Sequence, residues 1–281
     1  MTQEQFIRLN RINVPCRDDG ERFTDLSRLE AVSAELQDTR YRLIAREPLF
    51  HLYGRKPLAE LEDRLVVIST HADCVAEITR FFTRREPEGL LRGTFDNALT
   101  NFTAVELMRR GNLPDNVVVA FTGNEEDDAL GATDLSRFME KAGKELFVLV
   151  LDVTDQGFPE GLQFTIENNF WENHAAGQLL VKAAIASGEN WGFVASDPED
   201  IPGYIPAEYV VRDPWGPCEA TCDESWEYDE QDEECASICI PVAGDMHHNL
   251  GVVAREKSVD AYLHALEEMA RALGLYNQTR N

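Results

Sequence analysis

The chain has no surplus of positive charge: Lys and Arg number 26 against 51 Asp and Glu, a formal net charge of −25 over 281 residues. A generic nucleic-acid or anionic-membrane surface needs clustered cations, so this balance disfavours both partners and instead attracts cations. Long hydrophobic runs are missing too. Stretches such as Leu146 to Leu151 fall far short of the ~20 residues that span a bilayer, and no transmembrane helix is expected. The amino-terminal segment MTQEQFIRLNRINVPC lacks the basic-then-apolar order of a secretory signal, so the expected location is cytoplasmic. Cysteine is sparse, at six residues, and without an export signal reduced thiols are expected rather than a disulfide framework. Cys218, Cys222, Cys235 and Cys239 form two C-x3-C pairs, but structural zinc knuckles use a C-x2-C spacing. Cys235 and Cys239, four apart in a strand-like segment, read as core residues facing one side.

What is present is a folded α/β pattern. Hydrophobic residues make up 43% of the chain and aromatics 9%, and strand-like and helix-like segments alternate without repeats or low-complexity linkers. A helix capped by Thr24 or Asp25 runs to Leu36, and Tyr41–Arg46 and His51–Arg55 read as paired edge strands. Leu65–Ser69, Val117–Phe121, Leu146–Leu151 and Ser237–Val242 are short continuous apolar runs, the mark of strands covered on both faces. Helices are expected over Asn97–Arg110, Asp134–Ala142 and His174–Ser187, a strand near Phe193–Ser196, and an amphipathic carboxy-terminal helix presents Val259, Leu263, Leu266, Met269 and Leu273. Central strands buried on both faces imply a three-layer αβα sandwich, whose sites form at the carboxyl ends of its strands.

The residues that follow each core strand carry the chemistry. The first apolar run leads into His71-Ala72-Asp73, the second into Gly123-Asn124-Glu125-Glu126, the third into Asp152 and the last into Met246-His247-His248. Gly93-Thr94-Phe95-Asp96-Asn97 opens the helix after the first. Two imidazoles and three carboxylates can hold two divalent ions if one carboxylate is shared, with a water as nucleophile. Asp96, Glu126 and Asp152 supply three negative charges, two Zn2+ supply four positive ones, and a bridging hydroxide closes the balance. Glu125, left over beside a ligand, is placed as general base. Asp73, two residues beyond His71, can accept the imidazole's second N–H.

This ordered set of five motifs resembles the zinc exopeptidase superfamily of co-catalytic dizinc aminopeptidases, carboxypeptidases and acylases. The likeness covers about residues 60–273 of one catalytic domain, 1–281. It implies a phosphorylase/hydrolase-like fold with a mixed, mostly parallel central sheet. It also implies a peptidase acting on short peptides or small amides, with His71 and Asp152 on one zinc, Glu126 and His247 on the other, and Asp96 bridging. In that family the peptide bond after the bridging Asp is often cis, which makes Asp96–Asn97 a candidate. The 25 positions from His71 to Asp96 leave no room for the domain that shell-forming aminopeptidases insert there. The 95 from Asp152 to His247 are too few for a dimerisation domain. The compact single-domain bacterial aminopeptidase branch remains.

Some assignments stay open on the sequence. His248 competes with His247, which is preferred because it follows Met246, and Asp155 competes with Asp152, which is nearer the strand end. Glu167, Asn168, Asn169, Phe170 and Trp171 either line a specificity pocket or form a plain loop into a helix capped near Asn173. Tyr204 or Tyr209 is a candidate oxyanion donor. His51, His174 and His264 receive no role, and the acidic run Glu224 to Glu234 reads as a solvated face. An N-acyl amino acid amidohydrolase with the same metal centre is the alternative activity. A non-catalytic binding protein on this fold is the second.

Overall fold

The computed structural model describes residues 1–167, 174–195, 201–211 and 223–279. The elements run α1 (Gln3–Ile12), β1 (Arg17–Asp18), β2 (Phe23–Asp25), α2 (Ser27–Glu35), β3 (Arg42–Arg46), β4 (Phe50–Gly54), β5 (Arg64–His71), β6 (Thr83–Glu86) and β7 (Leu90–Gly93). They continue through α3 (Ala98–Arg110), β8 (Val117–Thr122), α4 (Leu130–Lys141), β9 (Glu145–Thr154), β10 (Phe164–Glu167), α5 (His174–Ala186) and β11 (Trp191–Phe193). After these come α6 (Asp223–Glu230), β12 (Glu234–Ala243), β13 (Val252–Arg255) and α7 (Glu256–Thr279).

The continuous apolar runs divide by alternation. On β5, Val66 and Ile68 enter one core while Leu65 and Val67 enter another; on β8, Val117, Val119 and Phe121 are separated from Val118 and Ala120 in the same way. Side chains of a strand point alternately to opposite faces, so a run with no polar position demands cover on both sides. The larger core holds apolar residues of α1, α2, α3, α5 and α7, and the smaller holds Leu135 and Met139 of α4 and Tyr228 of α6. Each large aliphatic side chain buried this way contributes about 1.5–3 kcal/mol. The result is a three-layer αβα arrangement.

Among the described residues the sheet has eleven strands, with the order β3-β4-β8-β5-β9-β12-β13-β7-β6 and β10 and β11 branching from β12. The central strands β8, β5, β9 and β12 are parallel, whereas β4, β10, β13, β7 and β6 add antiparallel pairings. Between His71 and Asp96 the chain makes β6, β7 and a short 3-10 turn. No helix among the described residues is long and apolar enough to cross a membrane.

Several expectations need correction. The segment expected as an edge strand at His51–Arg55 is the interior strand β4, fully buried between β3 and β8, because β8 offers it an antiparallel partner. The helix expected from Asp134 begins four residues earlier, at Leu130. The strand near Phe193 is Trp191–Phe193, and Ser196 lies outside the described residues. The run Glu224 to Glu234 is not simply solvated. Its first part is α6, and Glu224 and Tyr228, four apart and therefore on one helix face, are fully buried against the sheet. Cys235 and Cys239 are both buried on β12, whereas Cys218 and Cys222 lie outside the described residues.

His51 is buried too, with its ring edge-on to Phe23 and its Nδ1 without a hydrogen-bond partner. Burial, aided by the nearby Arg46, pushes its pKa down to about 4. An imidazole neutral in the folded chain but free to protonate when unfolded stabilises the fold above about pH 6.5, and that stability is lost as pH falls toward 4. Urea unfolding at pH 7 and at pH 4.5 should show wild type losing roughly 2 kcal/mol more than His51→Gln. Equal losses in the two proteins would refute the assignment.

Candidate metal centre

The carboxyl ends of β5, β8 and β9 lie side by side. His71 is the last residue of β5 and sits in register with Thr122 of β8; Asp152 is on β9. Alternation from the core positions sends His71 and Asp152 toward the same face. Glu125 and Glu126 occupy the turn after β8, Asp96 the link from β7 to α3, and His247 the loop between β12 and β13.

Each of these loops is held by polar contacts. Asn97 donates through Nδ2 to the Leu151 carbonyl at 2.8 Å, and Asn101, one turn on, donates to the His71 carbonyl at 2.7 Å and to Thr70 Oγ1 at 2.8 Å. The Asp96–Asn97 peptide is cis. After β8 the backbone turns through Asn124 at φ 61°, a left-handed conformation that Asn tolerates. A side chain at Gly123 would meet the Phe23 ring at 2.5 Å, and one at Gly131 would meet the Gly123 carbonyl oxygen at 2.6 Å. Both positions therefore require glycine for β2 and α4 to close on the turn.

The amino-terminal segment, to which sequence reasoning gave no role, grips the same loops. The Asn124 N–H donates to Asp18 Oδ2 at 3.0 Å. The fully buried Arg28 donates to the Ala72 carbonyl at 2.9 Å, and Arg17 donates to the carbonyls of Cys74, Val75 and Ile78. Asn249 performs the same task for the His247 loop, accepting from the Thr79 and Arg80 N–H groups at 2.9 Å and donating to the Glu77 carbonyl at 2.8 Å. Beneath β5 and β8, Glu224 accepts from Ser69 Oγ at 2.6 Å and Thr122 Oγ1 at 2.8 Å, and burial raises its pKa to about 6. Its signal in the sequence was the four-residue spacing to Tyr228, masked by the surrounding acids. Arg17, Asp18 and Arg28 left no such signal, because their partners are backbone groups distant in sequence.

The seven sequence-derived site residues come together. His71 Nε2 lies 3.1 Å from Asp96 Oδ1, 3.6 Å from Asp152 Oδ1 and 3.7 Å from Glu125 Oε2. His247 Nε2 lies 3.4 Å from Glu126 Oε2 and 3.8 Å from Asp96 Oδ2. The two oxygens of Asp96 thus face two different imidazoles. Asp73 Oδ1 is 3.4 Å from His71 Nδ1, and its other oxygen accepts from the Glu126 N–H at 3.4 Å. Glu126 Oε1 in turn accepts from the Val75 N–H at 3.2 Å. His248 is turned to its own loop, where Nδ1 accepts from the Leu250 N–H at 3.1 Å. Asp155 is exposed, and its Oδ1 accepts from Gln156 Nε2.

Charge in this cluster is unbalanced. Five carboxylates meet two imidazoles, and no Lys or Arg forms an ion pair with any of them among the described residues. Burial and the Asp96 carboxylate push Glu126 up to about 8. Burial raises Glu125 well above the carboxylate range against the pull of His71, with Asp152, Glu126 and Asp96 adding to it; Asp152 is raised as well, chiefly by burial. Burial opposes protonation of His71, but the surrounding carboxylates outweigh it and hold its pKa well up. Burial would raise Asp73 too, yet the neighbouring His71 holds it below its ordinary value. The cluster lacks cations, a deficit that divalent ions make up.

Geometry agrees with that fit. Nitrogen and oxygen donors about 2.0–2.2 Å from a tetrahedral ion lie roughly 3.3–3.6 Å from one another. The imidazole-to-carboxylate separations, from His71 to Asp96 Oδ1 and Asp152 and from His247 to Asp96 Oδ2 and Glu126, fall within a few tenths of an ångström of that range. His71, Asp96 and Glu126 also converge as one triad, and His71, Glu125 and Asp152 as another.

Other expectations fall elsewhere. Glu167 ends β10, fully buried, and accepts from Thr165 Oγ1 at 2.6 Å. Asn168 to Asn173 lie outside the described residues, as does the side chain of His174. Tyr209 stacks on Trp191, with ring centroids 4.4 Å apart, and the hydroxyl of Tyr204 approaches Gly177 on α5. His264 is exposed and pairs with Glu189 at 3.2 Å.

No protein-family model matches this chain, and no curated protein matches its sequence. Solved structures do match its fold. The aminopeptidase APDkam598 from the archaeon Desulfurococcus kamchatkensis is similar over 95% of this chain and 94% of its own, with a TM-score of 0.69 at 11% identity. A TET aminopeptidase from the marine sediment archaeon Thaumarchaeota archaeon SCGC AB-539-E09 is similar over 96% and 97%, with a TM-score of 0.66 at 10% identity. The Pyrococcus horikoshii TET1 peptidase, which can assemble into a tetrahedron or a large octahedral shell, is similar over 95% and 99%, with a TM-score of 0.64 at 10% identity. At such low identity the likeness establishes one thing: this chain has the mixed α/β fold of those aminopeptidases.

Proposed function

We propose that this chain is a metal-dependent exopeptidase, a dizinc aminopeptidase of the compact branch that removes N-terminal residues from short peptides. The observation that carries the reading is Asp96, whose two oxygens face two separate imidazole-carboxylate sets. His71 and Asp152 would hold one ion, His247 and Glu126 the other, with Asp96 shared between them. Ions bound there supply Lewis acidity toward the scissile carbonyl and make a water more acidic. The aminopeptidase activity named for the fold's neighbours supports the reading.

The chain's own groups do the rest. Glu125, 3.7 Å from His71 Nε2, takes the proton of the attacking water and passes it to the leaving amine. Asp73 fixes the His71 ring through Nδ1. Beside Glu126 opens a cleft of about 310 Å3 lined by Asp18, Asp73, Glu77, Glu126, Asp127 and Arg17. Carboxylates dominate that wall, which suits a substrate carrying a free ammonium and disfavours an N-acylated one. No nucleic-acid or membrane partner enters this scheme, and a cytoplasmic location goes with it.

Protein loaded with zinc and assayed against matched free-amine and N-acetylated dipeptides should cleave the first set at least tenfold faster. Preference for the acetylated set would move the assignment to an amidohydrolase. Failure to bind two ions per chain by elemental analysis would leave a binding protein on this fold.

A further inference from the structure

The edge of the sheet opposite the metal centre carries a second cavity, of about 420 Å3, within the size range of small-molecule sites. It opens where β5, β9 and β12 begin, at Arg64, Glu145 and Glu234, and is walled by α4, the link from α6 to β12 and the last turns of α7. Leu146 and Phe147, both buried, give it an apolar side.

Two features of the wall call for an occupant. Asn277 is 1% exposed and neither its Nδ2 nor its Oδ1 has a hydrogen-bond partner; Ser136, 3% exposed, likewise leaves Oγ unpartnered. Buried amides and hydroxyls are almost always paired, so an unpaired donor, acceptor and hydroxyl lining one cavity mark a place where a ligand supplies the partners. The second feature is charge. Arg64 is paired with Glu145 and Lys144 with Asp63, but Arg137 forms no hydrogen bond or ion pair among the described residues. On the same lining, burial pushes Glu233 up to about 7, against the pull of a hydrogen bond from the Leu146 backbone, with the neighbouring Glu140 and Asp232 adding to the rise. The lining therefore offers both an uncommitted guanidinium, the fork that binds carboxylates, and a carboxyl short of a cation.

We propose that this cavity binds a free α-amino acid with an apolar side chain. Its carboxylate meets Arg137, its ammonium meets Glu233 and Glu140, its polar atoms pair with Asn277 and Ser136, and its side chain lies against Leu146 and Phe147. An inorganic phosphate satisfies the guanidinium alone and is opposed by Glu140, Glu145, Asp232, Glu233 and Glu234 around it. The site is separate from the metal centre, and the inference stands without the peptidase reading.

Calorimetric titration of L-leucine, up to ~10 mM, into the full chain tests it. The expected result is a saturable site that survives Asp96→Asn at the metal centre, weakens about tenfold in Arg137→Glu and is lost in Asn277→Leu. Arg137 is exposed, so its replacement reports on the site even where Asn277→Leu fails to fold. Absence of saturable binding, binding unchanged by Arg137→Glu, or binding of inorganic phosphate in place of leucine would each overturn the proposal.

Discussion

Glu125→Gln is expected to keep both ions while turnover on a free-amine dipeptide falls roughly 100- to 10,000-fold. The amide is nearly isosteric, so the turn after β8, held by Asp18 and Phe23, keeps its shape. What is lost is the ability to take and return a proton. Glu125 is buried among Asp152, Glu126 and Asp96, which makes its ionised form costly without metal. The same substitution should therefore stabilise metal-free protein, by on the order of 1 kcal/mol, because the carboxyl must either bury a charge among like neighbours or take up a proton on folding, and the amide does neither. Two measurements decide it: metal content with single-turnover kinetics, and the melting temperature after chelation. Full activity in the variant removes Glu125 from the chemistry, and loss of metal makes it a ligand instead.

Asp96→Asn carries the other large expected effect, and it separates a shared carboxylate from an ordinary ligand. Its Oδ1 and Oδ2 lie 3.1 Å and 3.8 Å from the two imidazoles. An amide retains one acceptor oxygen and replaces the other with a donor that repels a cation. Loss of one ion outright, weakening of the other by at least about tenfold, and disappearance of measurable turnover are expected. Zinc titration monitored by calorimetry reads the stoichiometry directly. A variant that still binds two ions with wild-type affinity would show that the two imidazole-carboxylate sets do not share Asp96.

Much of the architecture was legible because its signals are local. Leu65–Ser69, Val117–Phe121 and Leu146–Leu151 have no polar position, and a strand with none must be covered on both faces, so the layered arrangement follows from periodicity. His71, Asp152 and the Glu125-Glu126 pair were legible for a related reason: they interrupt apolar runs at strand ends, where a parallel sheet gathers its ligands. His51 and Glu224 were not. Each is a polar residue in a polar-looking stretch, and nothing within a few residues reveals that β8 or the sheet's lower layer will cover it.

The sequence by itself determined the kind of strands, the kind of side chains that end them and the sign of the charge, since these depend on residue type and short-range spacing. The tertiary structure decided which groups meet. It turned His247 rather than His248 toward Glu126, drew Arg17, Asp18 and Arg28 onto loops about fifty to a hundred residues away, and left Asn277 unpaired beside Arg137 at the far edge. Those outcomes depend on how separate elements pack, because a polar group's partner is fixed by long-range closure of the chain and not by its neighbours in sequence.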